Sequence, residues 1–194
     1  MTGVQTCALP ICQFAAALKL YQINEHKGNE AMPGRLTNLF DEYLDNKKVF
    51  LCPADVFKGK QGGKPDVVDD EDWEHATDER VELGCKADSS YFYEFSEVEC
   101  GWGFEGHLNA TIEQITGDAS ATAASWNQVK FYQMRHGDVS NGNQPYPRTR
   151  FPTVRCFWHA ADADDNANPK NILNLSFTGN VFLSGPKWED TAGD

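Results

Sequence analysis

The sequence predicts an α+β fold in which an N-terminal helix packs against an antiparallel sheet. Three observations lead to this prediction. An apolar stripe of helical period lies near the start of the chain, strand-like segments dominate its second half, and two of those segments flank a tight-turn dipeptide. Helices followed by strands, rather than an alternation of the two, are typical of the α+β class.

The composition is that of one folded domain. The 194 residues carry 17 Lys and Arg against 29 Asp and Glu, a net charge of −12, and 40% of them are hydrophobic. This hydrophobic share is too high for a disordered chain, and the length suffices for a core. An acidic surface repels phosphate backbones, so the composition argues against nucleic-acid binding. No run reaches the roughly 18 apolar residues that a membrane helix needs.

The first residues read as a separate segment. Residues 2–11, TGVQTCALPI, resemble the in-frame translation of a short-read sequencing adapter. We therefore expect residues 1–12 to be an artefact outside the fold, and residues 13–194 to form a single domain that lacks its natural N-terminus.

The first predicted element is a helix over residues 13–26. Its apolar stripe has helical spacing and consists of Phe14, Ala17, Leu18 and Tyr21. A second short helix is predicted over residues 36–43, because Leu36, Leu39, Phe40 and Tyr43 again recur at that spacing. The apolar run Val49–Cys52 predicts a short strand that Pro53 ends.

The middle of the chain is mostly strand and loop in this prediction. Residues 80–85 and 89–95 read as strands, the second because aromatic residues dominate it. Residues 100–106 are rich in Gly and Trp and predict an ordered loop, whereas residues 109–124 have no clear period.

The next segment favours a helix over residues 126–136, with a strand over 129–134 as the alternative. Ser125 and Gln128 have capping-box spacing, and Gly137 follows as a helix stop would. Residues 153–159 then predict a strand. Residues 171–177 and 180–183 flank Thr178–Gly179, which is a hairpin signal.

One loop carries the residue types that calcium prefers. Clustered side-chain oxygens bind calcium, and four such residues alternate along the loop between two predicted strands: Asp162, Asp164, Asn166 and Asn168. The sixth and twelfth positions lack the Gly and Glu of an EF-hand. The loop is therefore a candidate calcium site. The alternative is a solvated hairpin tip, and the mismatch with the EF-hand positions favours this alternative. Calcium is the one candidate cofactor.

Catalytic signals are weak. Cys156 and His159 lie three apart on a predicted strand, so their side chains point to opposite faces, whereas a nucleophile and its base must be within hydrogen-bond reach. His136 and Asp138 form a second candidate pair for a metal or a proton, but a His at a helix C-terminus has a plain structural explanation. The sequence therefore predicts no catalytic residues.

Cysteine and tryptophan residues leave further interpretations open. Beyond residue 12 the cysteines are Cys52, Cys85, Cys100 and Cys156. They allow three pairings, and their even number fits an oxidising compartment. Trp102, Trp126 and Trp158 offer aromatic faces for sugars, although Trp residues at this density usually belong to a core.

From Gln13 onward the chain resembles a bacterial protein family, the type II secretion major-pseudopilin-like proteins, which are type IV pilin-like and carry a prepilin-type cleavage/methylation segment. The segments that carry this resemblance span most of the chain: QFAAALKLYQINEHKGNEAMPGRLTNLFDEYL at 13–44, DNKKVFLCPAD at 45–55, SSYFYEFS at 89–96, WNQVKFYQMRHGD at 126–138, RFPTVRCFWH at 150–159 and NILNLSFTGNVFLSGPKWE at 171–189.

The resemblance implies a pilin-like fold and a structural role. It implies a subunit of a type II secretion or type IV pilus-like envelope fibre rather than an enzyme. Its partners would be other pilin-like subunits, contacted through the N-terminal helix. The head would lie in the periplasm or outside the cell, anchored in the inner membrane by the missing segment. The alternatives are an extracellular binding module for glycans or cations with the same fold, and an enzyme that uses Cys156 and His159.

Overall fold

The computed structural model describes residues 3–25, 31–55, 58–59, 89–158, 172–185 and 188–191. The α-helices in this part of the chain are α1 Gly3–Asn24, α2 Phe104–Leu108, α3 Ile112–Thr116 and α4 Trp126–His136. The strands are β1 Phe92–Tyr93, β2 Pro152–Cys156, β3 Ile172–Ser176 and β4 Val181–Ser184. Short 3-10 helices lie at Leu36–Leu39, Lys47–Phe50, Val139–Asn141 and Trp188–Thr191.

The four strands form one antiparallel sheet in the order β1-β2-β3-β4. With the helices, this sheet places the chain in the α+β class, as the sequence predicts. The predicted hairpin is confirmed, since β3 and β4 pair on either side of Thr178–Gly179. Gly179 has a φ of 90°, a left-handed conformation that favours glycine, and its N–H donates to the carbonyl of Ser176 at 2.9 Å.

One face of the sheet is apolar and lies against α1. Across the strands, Val154 is opposite Leu175, which in turn is opposite Val181, so their side chains share this face. From α1, the buried ring of Phe14 meets Phe50 edge-on at 5.3 Å. Side chains of α1, β2 and β3 thus share one core cluster.

Helix α1 covers residues 13–24 of the predicted helix and extends beyond its N-terminal end. It begins at Gly3, ten residues before Gln13, and Ile11 is completely buried in the core. The structure therefore places the end of the proposed adapter segment in contact with the domain. The origin of residues 2–11 stays a prediction.

Helix α4 confirms the helical interpretation of residues 126–136 over the strand alternative. The Ser125 hydroxyl accepts from the Gln128 N–H at 3.3 Å, and the Gln128 side chain accepts from the Ser125 N–H at 2.9 Å. Gly137 follows the last helical residue, with a φ of 77°. These end signals are local, and for this reason the sequence alone reveals them.

Two predictions in the first part of the chain fail. The expected strand Val49–Cys52 is wrong, because residues 47–50 form a 3-10 helix that Asn46 caps through the Lys48 N–H at 3.0 Å. The expected helix over 36–43 is reduced to the 3-10 helix Leu36–Leu39. Leu36 and Leu39 are buried there, since a spacing of three suits a 3-10 turn as well as an α-helix.

Further departures concern short elements. Of the predicted strand 89–95, only Phe92–Tyr93 pair with β2. Helix α2 occupies part of the expected loop, and α3 forms within residues 109–124. A capping box starts α3. The Thr111 hydroxyl accepts from the Gln114 N–H, and the Gln114 side-chain oxygen accepts from the Thr111 N–H. The predicted strand 80–85 lies outside the described residues.

Candidate functional site

Helix α1 exposes a second apolar face on the side opposite the sheet. Leu9, Leu20 and Ile23 are 72%, 49% and 57% exposed, and the side chain of Ala16 is exposed with them. At about 100° per residue these four positions point the same way, opposite the buried Phe14 and Leu18. We call Ala16, Leu20 and Ile23 the outer face of α1; Leu9 points the same way but lies in residues 2–11, the proposed adapter segment.

The outer face is poor in charge on a strongly acidic chain. Lys19 is the one charged residue within the 22 residues of α1, whereas the whole chain carries a net charge of −12. A helix that is apolar on both sides buries both sides in an assembled protein, since one side suffices for packing on a sheet. Clustered exposed apolar side chains are typical of an interaction surface.

The apolar surface continues towards the sheet at β4. Val181 and Leu183 are 38% and 48% exposed, and their pairing partners Leu175 and Leu173 are in the core beneath α1. Strand β4 is at one edge of the described sheet. The hairpin turn touches α1, since a Cβ added at Gly179 would lie 3.7 Å from that of Ala15. The outer face therefore has an apolar neighbour on the β4 side.

The opposite face of the sheet is polar and equally buried. Arg155 donates to Asn174 at 3.0 Å and forms an ion pair with Glu94 at 3.3 Å. Lys130 of α4 forms an ion pair with the other oxygen of Glu94 at 3.2 Å. Asn174 donates to Ser184 at 2.9 Å. All five of these residues are buried, and buried charges are tolerated in proteins when they are paired in this way.

A second carboxylate, that of Asp138, lies completely buried at the end of α4. It accepts from the Gln133 amide at 2.8 Å and from the Tyr146 hydroxyl at 3.0 Å. The Ser140 N–H donates at 2.9 Å, and the partly exposed His107 ring places Nε2 at 3.5 Å. Burial raises the pKa of Asp138. The hydrogen bonds to its carboxylate and the charge of His107 together lower the pKa by more than burial raises it, so the pKa lies below its ordinary value.

Gln133 joins Asp138 to a third carboxylate. Its amide nitrogen also donates to Glu189 at 3.3 Å, while its oxygen accepts from Lys130 at 3.1 Å. Burial raises the pKa of Glu189 above its ordinary value, although the nearby charge of Lys130 acts in the other direction. We call the whole set the polar cluster: Glu94, His107, Lys130, Gln133, Asp138, Arg155 and Glu189.

The tryptophan residues with candidate sugar-binding faces belong mainly to the core. Trp126 and Trp158 are each 7% exposed, so neither presents a ring face to a sugar. Trp102 is partly exposed and lies parallel to Trp126, with centroids 6.2 Å apart. The ammonium of Lys130 lies 5.4 Å from one of these rings and 5.5 Å from the other, a cation–π arrangement.

Most of the other predicted site residues lie outside the described part of the chain. The candidate calcium ligands Asp162, Asp164, Asn166 and Asn168 lie outside the described residues, as does His159. Cys156 is completely buried in the apolar core, and apolar surroundings disfavour the reactive thiolate. Among the described residues, no group of three or more His, Cys, Asp or Glu side chains is placed to hold a metal ion.

The second predicted pair, His136 and Asp138, does not form a joint site, because the two side chains have different neighbours. His136 is exposed, and its ring packs on that of Tyr132 with centroids 4.3 Å apart and a tilt of 32°. Asp138 points into the polar cluster with a different histidine, His107. Cys52, Cys100 and Cys156 are buried, and Cys85 lies outside the described residues. The cysteine pairing stays a prediction.

Sequence reasoning missed the polar cluster. One signal was present, because Glu94 and Arg155 each interrupt a strand segment that is otherwise apolar or aromatic. A charged residue at such a position is either at an exposed edge or paired inside.

No protein-family model, curated protein or solved structure matches the chain. Within the described residues, no helix has both the length and the apolar content that crossing a membrane requires.

Proposed function

We propose that the chain is a pilin-like structural subunit of the pseudopilin type. It assembles with other copies, or with related subunits, through the outer face of α1, and has no catalytic role. The fibre belongs to the cell envelope and is of the type II secretion or type IV pilus-like kind. The head then lies in the periplasm or outside the cell, with the inner membrane holding the full-length protein.

The observation that carries this proposal is the two-sided apolar character of α1. One side, with Phe14, is buried in the core cluster that α1 shares with the sheet, and the other exposes Leu20 and Ile23 at about half of their surface. The resemblance of residues 13–189 to pseudopilin-like proteins supports a helix that packs on the sheet of its own subunit and also contacts neighbouring subunits. The arrangement of a long helix on an antiparallel sheet is compatible with a pilin-like head.

Charge supports an apolar partner. Copies that each carry a net charge of −12 repel one another, so association requires a contact with little charge, and the outer face is such a surface. Burying one fully exposed Leu or Ile contributes roughly 1.5–3 kcal/mol. Two half-exposed side chains on each copy therefore contribute about 2 kcal/mol, and about 1.4 kcal/mol corresponds to a tenfold change in affinity.

The test is self-association of the full chain by sedimentation velocity up to millimolar concentration. We expect the unmodified protein to associate, and Leu20→Glu combined with Ile23→Glu to weaken association by more than tenfold. Val139→Glu is the matched control, because Val139 is 51% exposed but lies on a 3-10 helix after α4. Circular dichroism checks that each variant is folded.

Two outcomes contradict the proposal. One is a protein that stays monomeric at millimolar concentration. The other is equal weakening by the control, which would mean that added negative charge anywhere on the chain causes the effect.

A further inference from the structure

The polar cluster carries an unequal number of opposite charges. Its carboxylates are Glu94, Asp138 and Glu189, whereas its permanent cations are Lys130 and Arg155. Among the side chains that the structure describes here, the three carboxylates outnumber the two permanent cations by one. An unbalanced charge inside a protein is costly, and a group that can accept a proton does so instead.

Geometry decides which carboxylate accepts the proton. Asp138 and Glu189 accept from the same nitrogen of Gln133, at 2.8 Å and 3.3 Å, so the two carboxylates are neighbours. Asp138 accepts further bonds from Tyr146 and from the backbone N–H of Ser140. These donors stabilise the charge of Asp138. Glu189 has the longer bond to Gln133, so its charge is the less stabilised of the two.

We propose that the polar cluster binds one proton on Glu189 in the folded protein, and that this proton fastens the C-terminal 3-10 helix to α4 at mildly acidic pH. Glu189 belongs to the 3-10 helix Trp188–Thr191. The preceding residue, Trp188, is 1% exposed and packs on Tyr146 and Phe151, with ring centroids 4.8 Å and 4.7 Å away. Protonation removes the repulsion between Glu189 and Asp138 and so favours this docked position.

The charged neighbours of Glu189 in the described part of the chain act on its pKa in two directions. Lys130 and Arg155 favour the ionised form of Glu189, whereas Glu94 favours the protonated form. Asp138 is a neighbour by geometry, because it accepts from the same Gln133 nitrogen as Glu189, and the His107 ring lies with Nε2 3.5 Å from Asp138. The raised pKa of Glu189 agrees with this balance, because burial outweighs the two cations.

The pH dependence follows from linkage. In the unfolded chain a glutamate loses its proton near pH 4.3, whereas the folded protein retains it to a higher pH. Between these two values the folded state holds more protons, so its stability falls as pH rises through this window. One proton sets a limit of about tenfold per pH unit in the unfolding constant.

The test compares urea unfolding of the full chain with Glu189→Gln between pH 4.5 and 8. Glutamine keeps the shape but removes the charge. We expect the ratio of the two unfolding constants, unmodified protein over variant, to rise as the pH is raised across this range, by at most about tenfold per pH unit. Glu113→Gln is the matched control, since Glu113 is exposed on α3, and its ratio to the unmodified protein should stay constant. A ratio for Glu189→Gln that is equally constant would overturn the proposal.

A second measurement needs no variant. The carboxyl carbon of Glu189 is followed by nuclear magnetic resonance as the pH of the unmodified protein is raised. We expect its titration midpoint to lie above the usual glutamate range. A midpoint at or below about 4.3, the ordinary glutamate value, would overturn the proposal even if Glu189→Gln fails to fold.

Discussion

Replacing Asp138 by Asn tests whether the polar cluster stabilises the fold. One carboxylate oxygen accepts from the Ser140 N–H at 2.9 Å, and an Asn oxygen preserves that bond. The other oxygen accepts from the Gln133 amide at 2.8 Å. In Asp138→Asn an NH₂ group faces this donor, so the bond is lost and two donors oppose each other.

The expected cost follows from this geometry. A hydrogen bond to a charged group contributes about 1.5–3 kcal/mol, and a buried donor left without an acceptor costs a further 1–3 kcal/mol or so. The Asn141 N–H and Tyr146 hydroxyl keep an acceptor and add nothing to this cost, so we expect a total loss of about 2.5–6 kcal/mol. Domains of this size have a free energy of unfolding of roughly 5–15 kcal/mol, so the loss is large.

The assay is urea denaturation at pH 7, with Asp118→Asn as the control. Asp118 is an exposed aspartate that accepts from Ser120 in a surface turn, and its replacement should leave the midpoint unchanged. The lowered pKa of Asp138 adds a condition on pH. Its stabilisation is present above the ordinary aspartate value of about 3.9 and is lost as pH falls through the lower folded value. A loss below about 1 kcal/mol at pH 7, less than one hydrogen bond to a charged group contributes, would refute the reasoning.

Two further predictions concern the N-terminal segment, residues 2–11, and the candidate calcium loop, residues 162–168. A chain that starts at Gln13 loses the completely buried Ile11, so we expect its free energy of unfolding in urea to fall by about 2 kcal/mol or more; an unchanged value would instead support the adapter interpretation of residues 2–11. If the loop containing Asp162 and Asn168 binds calcium, calcium at 100 times its Kd stabilises the protein by about 2.7 kcal/mol and raises Tm. Magnesium is the control in that thermal scan, and no shift at millimolar calcium would rule the site out.

The elements that the sequence predicted well are those with local signals. Helix α4 is defined at its start by Ser125 and Gln128 and at its end by Gly137. The β3–β4 hairpin is defined by Thr178–Gly179 between two apolar runs. In each case the residues that decide the structure are within a few positions of one another, so no distant contact is needed to recognise them.

The predictions that failed depended on short apolar runs. Residues 49–52 suit a strand and a buried 3-10 turn equally, and the packing of Val49 and Phe50 in the core selects the turn. Periodicity cannot separate these two states in four residues. Helix α3 could have been predicted, because Thr111 and Gln114 show the same capping-box spacing that identified α4.

By itself the sequence determined the α+β class, the helix that begins the fold, its apolar stripe and the final hairpin, because each is encoded by neighbouring residues. Tertiary structure alone decided which side of α1 is covered and which side, with Leu20, remains exposed. It also brought Glu94 to Arg155 across 61 positions of the chain. Such contacts depend on how the strands pair and where the helices dock, and no local pattern carries that information.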